Sequence, residues 1–197
     1  MCAIIGSFNK NKMISLFELN AYRGELSNSI SSFNNDGVVQ NLNQHFGKFN
    51  EEHLNEHSED MFYIGHSQAP TTNTNNIHPA NIDNSLLWHN GIIKQKDLTE
   101  NVWDTEWLLK KILQQGWSIL SEIDGSFACV LYKENKLYIF RNEISPLFID
   151  EDLNISSTKF EGSDSIESNT VFELNLYSKS ITNIETFTTK ENPYFFW

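Results

Sequence analysis

Met1-Cys2-Ala3-Ile4-Ile5-Gly6-Ser7-Phe8 (residues 1–8) is the most informative run in this 197-residue sequence. After Cys2 the run is short, apolar and partly β-branched, which predicts a strand buried in a sheet. Because Cys2 is small, we expect Met1 to be removed, which leaves the cysteine with a free α-amine. An α-amine has a pKa of roughly 7.7–8.0, so it can act as general base for the thiol of the same residue. Taken alone, a cysteine at this position is weak evidence.

The second cysteine lies in a different sequence context. Cys129 belongs to the apolar run Phe127–Tyr132, which predicts a buried strand. We therefore expect Cys129 to be a small core residue. Two thiols in a chain of this length do not indicate a disulfide framework.

Composition limits the class of protein. Hydrophobic residues make up 39% and charged residues 20%, as in a globular domain, and we expect one domain over residues 1–197. The net charge of −12 argues against a nucleic-acid-binding surface, because phosphate contacts need clustered Lys and Arg. No apolar run approaches the ~20 residues that span a bilayer, and no signal-peptide pattern is present. We therefore expect no nucleic-acid or membrane partner and a cytoplasmic location.

Hydrophobic periodicity predicts two helices among several strands. One helix runs from Lys12 to about Asn20, and a second begins at Asp104, a natural N-cap, and ends at Gly116. Residues 22–36 and 71–84 predict loops, and residues 50–60 a surface helix or loop. This order favours α+β layering over a βαβ succession. Besides residues 2–8, strands are predicted at Gly37–Val39, Phe62–His66, Leu86–His89, Phe127–Tyr132, Lys136–Arg141, Leu147–Asp150, Ile155–Thr158, Thr170–Leu176 and Ser180–Phe187.

Short polar motifs follow one another in a definite order along the chain. With Cys2-Ala3-Ile4-Ile5-Gly6 they resemble the motif series of the class II glutamine amidotransferases, from residue 2 to about residue 148. The motifs are Tyr22-Arg23-Gly24, Gly65-His66-Ser67-Gln68-Ala69-Pro70-Thr71, His78-Pro79, Trp88-His89-Asn90-Gly91-Ile92-Ile93, Asp104-Thr105-Glu106, Asp124-Gly125-Ser126-Phe127-Ala128, and Arg141 with Pro146-Leu147.

The resemblance implies both a fold and a reaction. The fold is that of the N-terminal-nucleophile (Ntn) hydrolases: α+β, with two largely antiparallel sheets in a four-layer α/β/β/α sandwich. The reaction is attack by the Cys2 thiol on the side-chain amide of glutamine, giving a γ-glutamyl thioester and ammonia, followed by release of glutamate by water. The side-chain amide of Asn90 and the backbone N–H of Gly91 would hold the oxyanion. Losing one such donor typically raises the barrier by ~3 kcal/mol.

Four further residues are implied in substrate binding. Asp104 would accept hydrogen bonds from the α-ammonium group, and Thr71 would contact the carboxylate end. Gln68 stands where the family has the arginine that pairs with the α-carboxylate, and a neutral amide cannot replace a bidentate guanidinium. Three alternatives stay open: Arg23 or another donor compensates for the missing arginine, the substrate is not free glutamine, or the domain hydrolyses nothing. Ala3 replaces a family glycine beside the nucleophile.

Simpler interpretations stay open for two motifs. Asn90-Gly91 also fits a type I′ hairpin turn, and Asp104 a plain helix N-cap. No cofactor is predicted. His53 and His57, spaced i, i+4, do not predict a metal site, because no third ligand is placed nearby.

Partners and rival functions are also open. In this family the ammonia usually passes to a synthetase domain, and the sequence contains no phosphate-binding loop or sugar-isomerase segment, so we expect an acceptor protein in trans. One rival function is a stand-alone amidohydrolase acting on a γ-glutamyl or other amide. The other is a non-catalytic structural or interaction protein with the same fold.

Overall fold

Alternation of side chains along the strands builds two antiparallel sheets that share one apolar interior. The computed structural model describes residues 1–69, 76–95, 98 and 102–189. The described helices are α1 Lys10–Leu19 and α2 Asp104–Gln115, with 3₁₀ helices at Ala21–Arg23, Glu51–Glu56 and Gly116–Glu122. The described strands, in chain order, are β1 Ala3–Ser7, β2 Ser27–Phe33, β3 Val39–Phe46, β4 Phe62–Gln68, β5 Ala80–Ile82, β6 Ser85–Ile93, β7 Gly125–Lys133, β8 Lys136–Arg141, β9 Phe148–Ile149, β10 Ile155–Ser156, β11 Asp164–Ser165, β12 Thr170–Asn175 and β13 Ser180–Thr186.

Strand order places the N-terminal strand in the middle of a sheet. Within the described residues, the first sheet has the order β11-β9-β10-β1-β4-β2-β3 and the second β13-β12-β8-β7-β6-β5. β1 pairs antiparallel with both β10 and β4. Cys2, which directly precedes β1, therefore lies at the end of a central strand.

Hydrophobic clusters arrange these elements in four layers. The cluster around Trp88 fills the space between the sheets. α1 covers the outer face of the first sheet, where Phe17 packs with Ile5, and α2 covers that of the second, where Leu109 packs with Phe127. Burying a side chain of this size contributes about 1.5–3 kcal/mol. The predicted α/β/β/α layering is confirmed. None of the helices described is long and apolar enough to cross a bilayer.

The two helices begin close to the predicted residues. α1 starts two residues earlier than predicted, after the N-cap Asn9, whose side chain accepts a hydrogen bond from the Lys12 N–H at 3.1 Å. At α2 the N-cap is Trp103, so the prediction that Asp104 is the N-cap is wrong by one residue. A carboxylate in the first turn still favours the helix through its dipole. Gly116, with φ of 68°, ends α2 as predicted.

Several segments predicted as loops form strands. β2 lies within residues 22–36 and pairs with β3 and β4. Its sequence, Ser-Asn-Ser-Ile-Ser-Ser-Phe, does not predict a strand, because serines occupy buried positions that apolar residues usually fill. β5 lies within residues 71–84, and β11 was not predicted. β3 runs well beyond the predicted Gly37–Val39. The prediction stopped short because the sequence of β3 is largely polar, as suits a strand at the edge of a sheet.

The Asn90-Gly91 pair lies inside a strand. β6 continues to Ile93, and its ladder with β7 pairs Gly91 with Phe127. The type I′ turn interpretation is therefore wrong for this pair. The hairpin predicted downstream, β7 and β8, is confirmed.

Candidate active site

Cys2 is buried at the end of β1, with 5% of its surface exposed. Alternation places it on the face of Ile4, which belongs to the inter-sheet cluster. Burial raises the pKa of the Cys2 thiol, a backbone hydrogen bond from Ala69 and the charges of the chain terminus and Arg23 oppose the rise, and the charge of Asp104 adds to it. Near neutral pH the thiol is therefore protonated and needs a base to become a nucleophile.

Arg23 lies against the backbone of the nucleophile residue. Its Nε donates to the Cys2 carbonyl oxygen at 3.0 Å, and its Nη1 donates to Tyr22 Oη at 3.4 Å. Nη2 is buried and has no hydrogen-bond partner among the described residues. A buried guanidinium with an unused donor is suited to receive an anionic group. The structure thus brings Arg23 and Cys2 together.

Asn90 is joined to the strand of Cys2 by one hydroxyl group. Asn90 Nδ2 donates to Ser157 Oγ at 3.3 Å, and the Ile4 N–H donates to the same oxygen at 2.9 Å. Asn90 is 2% exposed and its side chain shares the inner face of β6 with Trp88. The amide predicted to bind the oxyanion therefore lies beside the N-terminal strand, across the inter-sheet space.

Gly91 is required by both conformation and space. Its φ is 155°, which L side chains rarely adopt, and a Cβ atom there would lie 2.0 Å from the Ser126 carbonyl oxygen. The strand can therefore follow this path only with glycine at this position.

Asp104 begins α2 close to the end of β6. Oδ2 accepts a hydrogen bond from the Ile93 N–H at 3.3 Å, and Oδ1 accepts one from Thr105 Oγ1 at 3.4 Å. The side chain keeps 17% of its surface exposed and lies 3.9 Å from His89 Nδ1. Its charge reaches Cys2, whose pKa it helps to raise. The carboxylate is thus partly exposed, and its charge acts on the Cys2 thiol.

Gln68 ends β4 with its amide bonded to the protein. Nε2 donates to the Asn76 carbonyl oxygen at 2.9 Å, Oε1 accepts from Ser27 Oγ at 2.8 Å, and His78 Nδ1 lies 3.4 Å from Oε1. The residue is 5% exposed. Its hydrogen-bonding capacity is therefore largely used within the fold.

Three buried histidines and a threonine link these predicted positions. Thr105 Oγ1 lies 3.1 Å from His78 Nε2 and 3.2 Å from His89 Nδ1, while His66 Nε2 lies 3.1 Å from the His89 carbonyl oxygen. The rings of His66 and His78 stack at 3.8 Å. We call these four residues the histidine cluster. It connects Gln68 with Asp104.

Burial keeps the histidine cluster uncharged. It lowers the pKa of His66 to about 3 and that of His78 well below its ordinary value. For His89 burial again lowers the pKa, opposed by the charge of Asp104 and the Ser126 carbonyl. All three residues belong to motifs quoted above, yet their types and spacing did not indicate that they meet.

The remaining predicted positions are placed as follows. Thr71 lies outside the described residues. The Ala3 side chain lies on the α1 side of β1, opposite to Cys2, so its methyl group does not crowd the thiol. Ser157, which links Asn90 to β1, was not singled out from the sequence, because no motif accompanies it. His57 Nδ1 lies 2.9 Å from Ser32 Oγ, and the His53 ring stacks on His45 at 3.7 Å.

No protein-family model and no curated protein sequence matches the chain. Solved structures do match it. One is the glutamine phosphoribosylpyrophosphate (PRPP) amidotransferase from B. subtilis complexed with ADP and GMP, with a TM-score of 0.64 and 16% identity, covering 93% of this chain and 49% of that chain. Another is described as the allosteric regulatory enzyme of purine biosynthesis, with a TM-score of 0.61 and 15% identity. That match covers 93% of this chain and 48% of that chain.

The fold is that of a class II amidotransferase domain. The predicted Ntn-hydrolase sandwich is thereby confirmed, and at this identity the likeness concerns the fold. The chain spans about half the length of the two solved chains, 49% and 48%.

Proposed function

We propose that this protein hydrolyses the side-chain amide of glutamine through Cys2 and delivers the ammonia to an acceptor enzyme. The observation that carries the proposal is the link from Asn90 through Ser157 to the strand of Cys2, with distances of 3.3 and 2.9 Å. This link ties a side-chain amide donor to the strand that follows the buried thiol. The amidotransferase fold supports the same chemistry.

The first step uses both functional groups of Cys2. Once Met1 is removed, the free α-amine takes the proton from Sγ, and Sγ forms a bond to the amide carbon of glutamine. Burial raises the pKa of the thiol, so a base on the same residue is needed near neutral pH. Arg23, which binds the Cys2 carbonyl oxygen, would fix the backbone that carries both groups.

The negative charge that forms on the amide oxygen needs donors. We assign the Asn90 side-chain amide and the Gly91 N–H to this role. The protonated α-amine of Cys2 then returns the proton to the leaving nitrogen. The C–N bond breaks, and ammonia departs from a γ-glutamyl thioester. Water, deprotonated by the same amine, attacks the thioester and releases glutamate with the free thiol.

Charges at the site suit an amino-acid substrate. Asp104, 17% exposed, would accept hydrogen bonds from the α-ammonium group. The unused Nη2 of Arg23 would donate to the α-carboxylate. Thr71 would contact the same end, as the motif resemblance implies. Gln68 would line the site as a neutral group.

The state of Gln68 favours a second candidate with the same mechanism. Its amide is bonded to Asn76 and Ser27, so the position supplies no charge for an α-carboxylate. An amide whose acyl part carries no free α-carboxylate would then be the substrate, whereas a γ-glutamyl compound keeps the same α-carboxylate as glutamine. The two candidates differ in the acyl group that Cys2 receives and share every catalytic residue.

The test measures turnover by protein whose N-terminus is known. Intact-mass measurement first establishes that Met1 is absent, and glutamate release from glutamine is then compared for wild type and Cys2→Ala. We expect turnover that Cys2→Ala abolishes. A panel of amides with and without a free α-carboxylate on the acyl part separates the second candidate. If the protein without Met1 turns over no amide, with or without lysate from its source, the interaction-protein interpretation replaces the proposal.

A further inference from the structure

Ser157 follows β10 directly and is 1% exposed. Its Oγ accepts the Ile4 N–H at 2.9 Å and Asn90 Nδ2 at 3.3 Å. Its backbone N–H donates separately to the Ile4 carbonyl oxygen at 3.0 Å. The residue is therefore fastened to β1 through its backbone, and its hydroxyl group is what connects β1 to Asn90.

An asparagine amide needs such a connection to act as a directed donor. The terminal torsion of asparagine is broad, because rotation about an sp³–sp² bond has no sharp staggered minima. One Nδ2 hydrogen bonded to Ser157 fixes that torsion and leaves the second hydrogen for another acceptor. A donor already aimed before the reaction stabilises developing charge without the cost of reorganisation.

We propose that Ser157 is a positioning residue that orients the Asn90 amide toward the oxyanion formed at Cys2. This role rests on the proposed function, since it concerns the same site. It assigns to Ser157 no contact with substrate: it acts through Asn90. The sequence separation of 67 residues between them shows that the link is made by the fold.

Removing the hydroxyl group leaves most of the structure intact. Ser157→Ala keeps the backbone hydrogen bond to Ile4, so the pairing of this segment with β1 is retained. The lost hydroxyl affects the Ile4 N–H and the Asn90 amide. Ser157→Thr restores a hydroxyl group at the same position. Ser32→Ala is the matched control, because Ser32 is equally buried and its Oγ lies 2.9 Å from His57 Nδ1, on the α1 side of the first sheet.

Kinetics provide the first measurement. We expect Ser157→Ala to lower kcat for glutamine about tenfold or more, less than the 10²–10³-fold that is typical for loss of the donor itself. KM should change less than about twofold, because the interaction acts on the transition state. Ser157→Thr should recover most of kcat, and Ser32→Ala should match wild type. A kcat for Ser157→Ala equal to that of wild type would overturn the proposal.

A second measurement decides the matter even for a protein without turnover. The side-chain amide signals of Asn90, assigned by comparison with Asn90→Ala, should exchange hydrogen slowly in wild type. In Ser157→Ala they should shift and exchange about tenfold faster, whereas Ser32→Ala leaves them unchanged. Unchanged Asn90 signals in Ser157→Ala would overturn the positioning role. Shifted signals in a protein that turns over no amide would support the role in orienting Asn90 and contradict the proposed function instead.

Discussion

The surroundings of the two cysteines differ more than the cysteines themselves. Cys2 and Cys129 are both buried free thiols, and burial raises the pKa of each. Cys129 lies in the middle of β7 with no exposed surface, packed among the apolar residues around α2. Cys2 lies at a strand end, next to the guanidinium of Arg23 and across from the amide of Asn90.

This difference underlies the prediction that Cys2, and not Cys129, is the reactive thiol. Cys129 even has a histidine as its cross-strand neighbour, His89, on the same face of the sheet. That imidazole is uncharged and buried, and its two nitrogens lie near Thr105 Oγ1 and the Ser126 carbonyl oxygen. A reactive thiol requires a base, aimed donors and a path for the substrate. Strand ends supply these more readily than strand centres.

The largest expected effect separates the two cysteines directly. Cys2→Ala should lower glutamate release from glutamine by roughly 10³-fold or more, because it removes the nucleophile. Cys129→Ala should keep most of the activity and lower the free energy of unfolding by about 1 kcal/mol, because it removes one buried sulfur atom. Glutamate assays and urea unfolding of both variants make the comparison. Equal loss of activity in the two variants would remove the distinction drawn here.

The next effect concerns Asn90, the proposed oxyanion donor. Asn90→Ala should lower kcat by roughly 10²–10³-fold with a small change in KM, because the oxyanion loses one fixed donor. Asn28→Ala is the control: Asn28 is equally buried, and its Nδ2 donates to the Gly47 carbonyl oxygen at 3.0 Å. Steady-state kinetics of both variants check this. Similar losses in both would point to a general effect of buried amides on stability.

These contrasts also mark what the sequence could predict. Apolar periodicity predicted α2 and the β7–β8 hairpin, because their buried faces are filled by apolar residues. It missed β2, whose inner positions carry serine. Motif resemblance predicted the fold, and it predicts that Asn90 acts on the oxyanion formed at Cys2. The link through Ser157 could not be predicted, because no local pattern accompanies it. Ser157 is separated along the sequence by 153 positions from Ile4 and by 67 positions from Asn90.

In the candidate site, the contacts of Gln68 and of the histidine cluster likewise could not be predicted from local sequence patterns. The motifs contained the histidines, but their contacts depend on how β4, β6 and α2 meet. The sequence marked Gln68 as a missing charge. The structure adds the reason that a neutral group is stable there, since its amide is bonded to Ser27 and Asn76 and lies near the uncharged His78.

Acid should destabilise the fold through the histidine cluster. The lowered pKa values of His66, His78 and His89 mean that the unfolded chain binds more protons than the folded chain below about pH 6.5. The contribution of these histidines to the free energy of unfolding is therefore fully present above that pH. It is lost as the pH falls toward 3, by up to about 1.4 kcal/mol per pH unit for each residue. Burial also lowers the pKa of His53 and His57, which act in the same sense.

Urea unfolding at pH 7.5, 6 and 5 measures this slope. His66→Gln should make it shallower by up to about 1.4 kcal/mol per pH unit, whereas the two cysteine variants should leave it unchanged. A pH-independent stability between 7.5 and 5 would contradict the uncharged cluster.

The smallest expected effect tests the neutral position beside Cys2. Gln68→Arg would place a guanidinium in a site that is 5% exposed and lies near the uncharged His78. Without substrate this buried charge should lower the free energy of unfolding by about 1–3 kcal/mol. If the position faces the α-carboxylate, glutamine should restore that stability, and the apparent KM should fall about tenfold, or ~1.4 kcal/mol.

Gln68→Met separates the effect of charge from that of lost hydrogen bonds, because it removes the amide without adding a cation. Thermal unfolding of both variants with and without glutamine, together with KM, gives the answer. Glutamine should raise the Tm of Gln68→Arg more than that of Gln68→Met, because only the guanidinium can pair with a carboxylate. If glutamine shifts both equally, position 68 lies away from the carboxylate. Nη2 of Arg23, which has no hydrogen-bond partner among the described residues, is then the donor that we propose for the carboxylate.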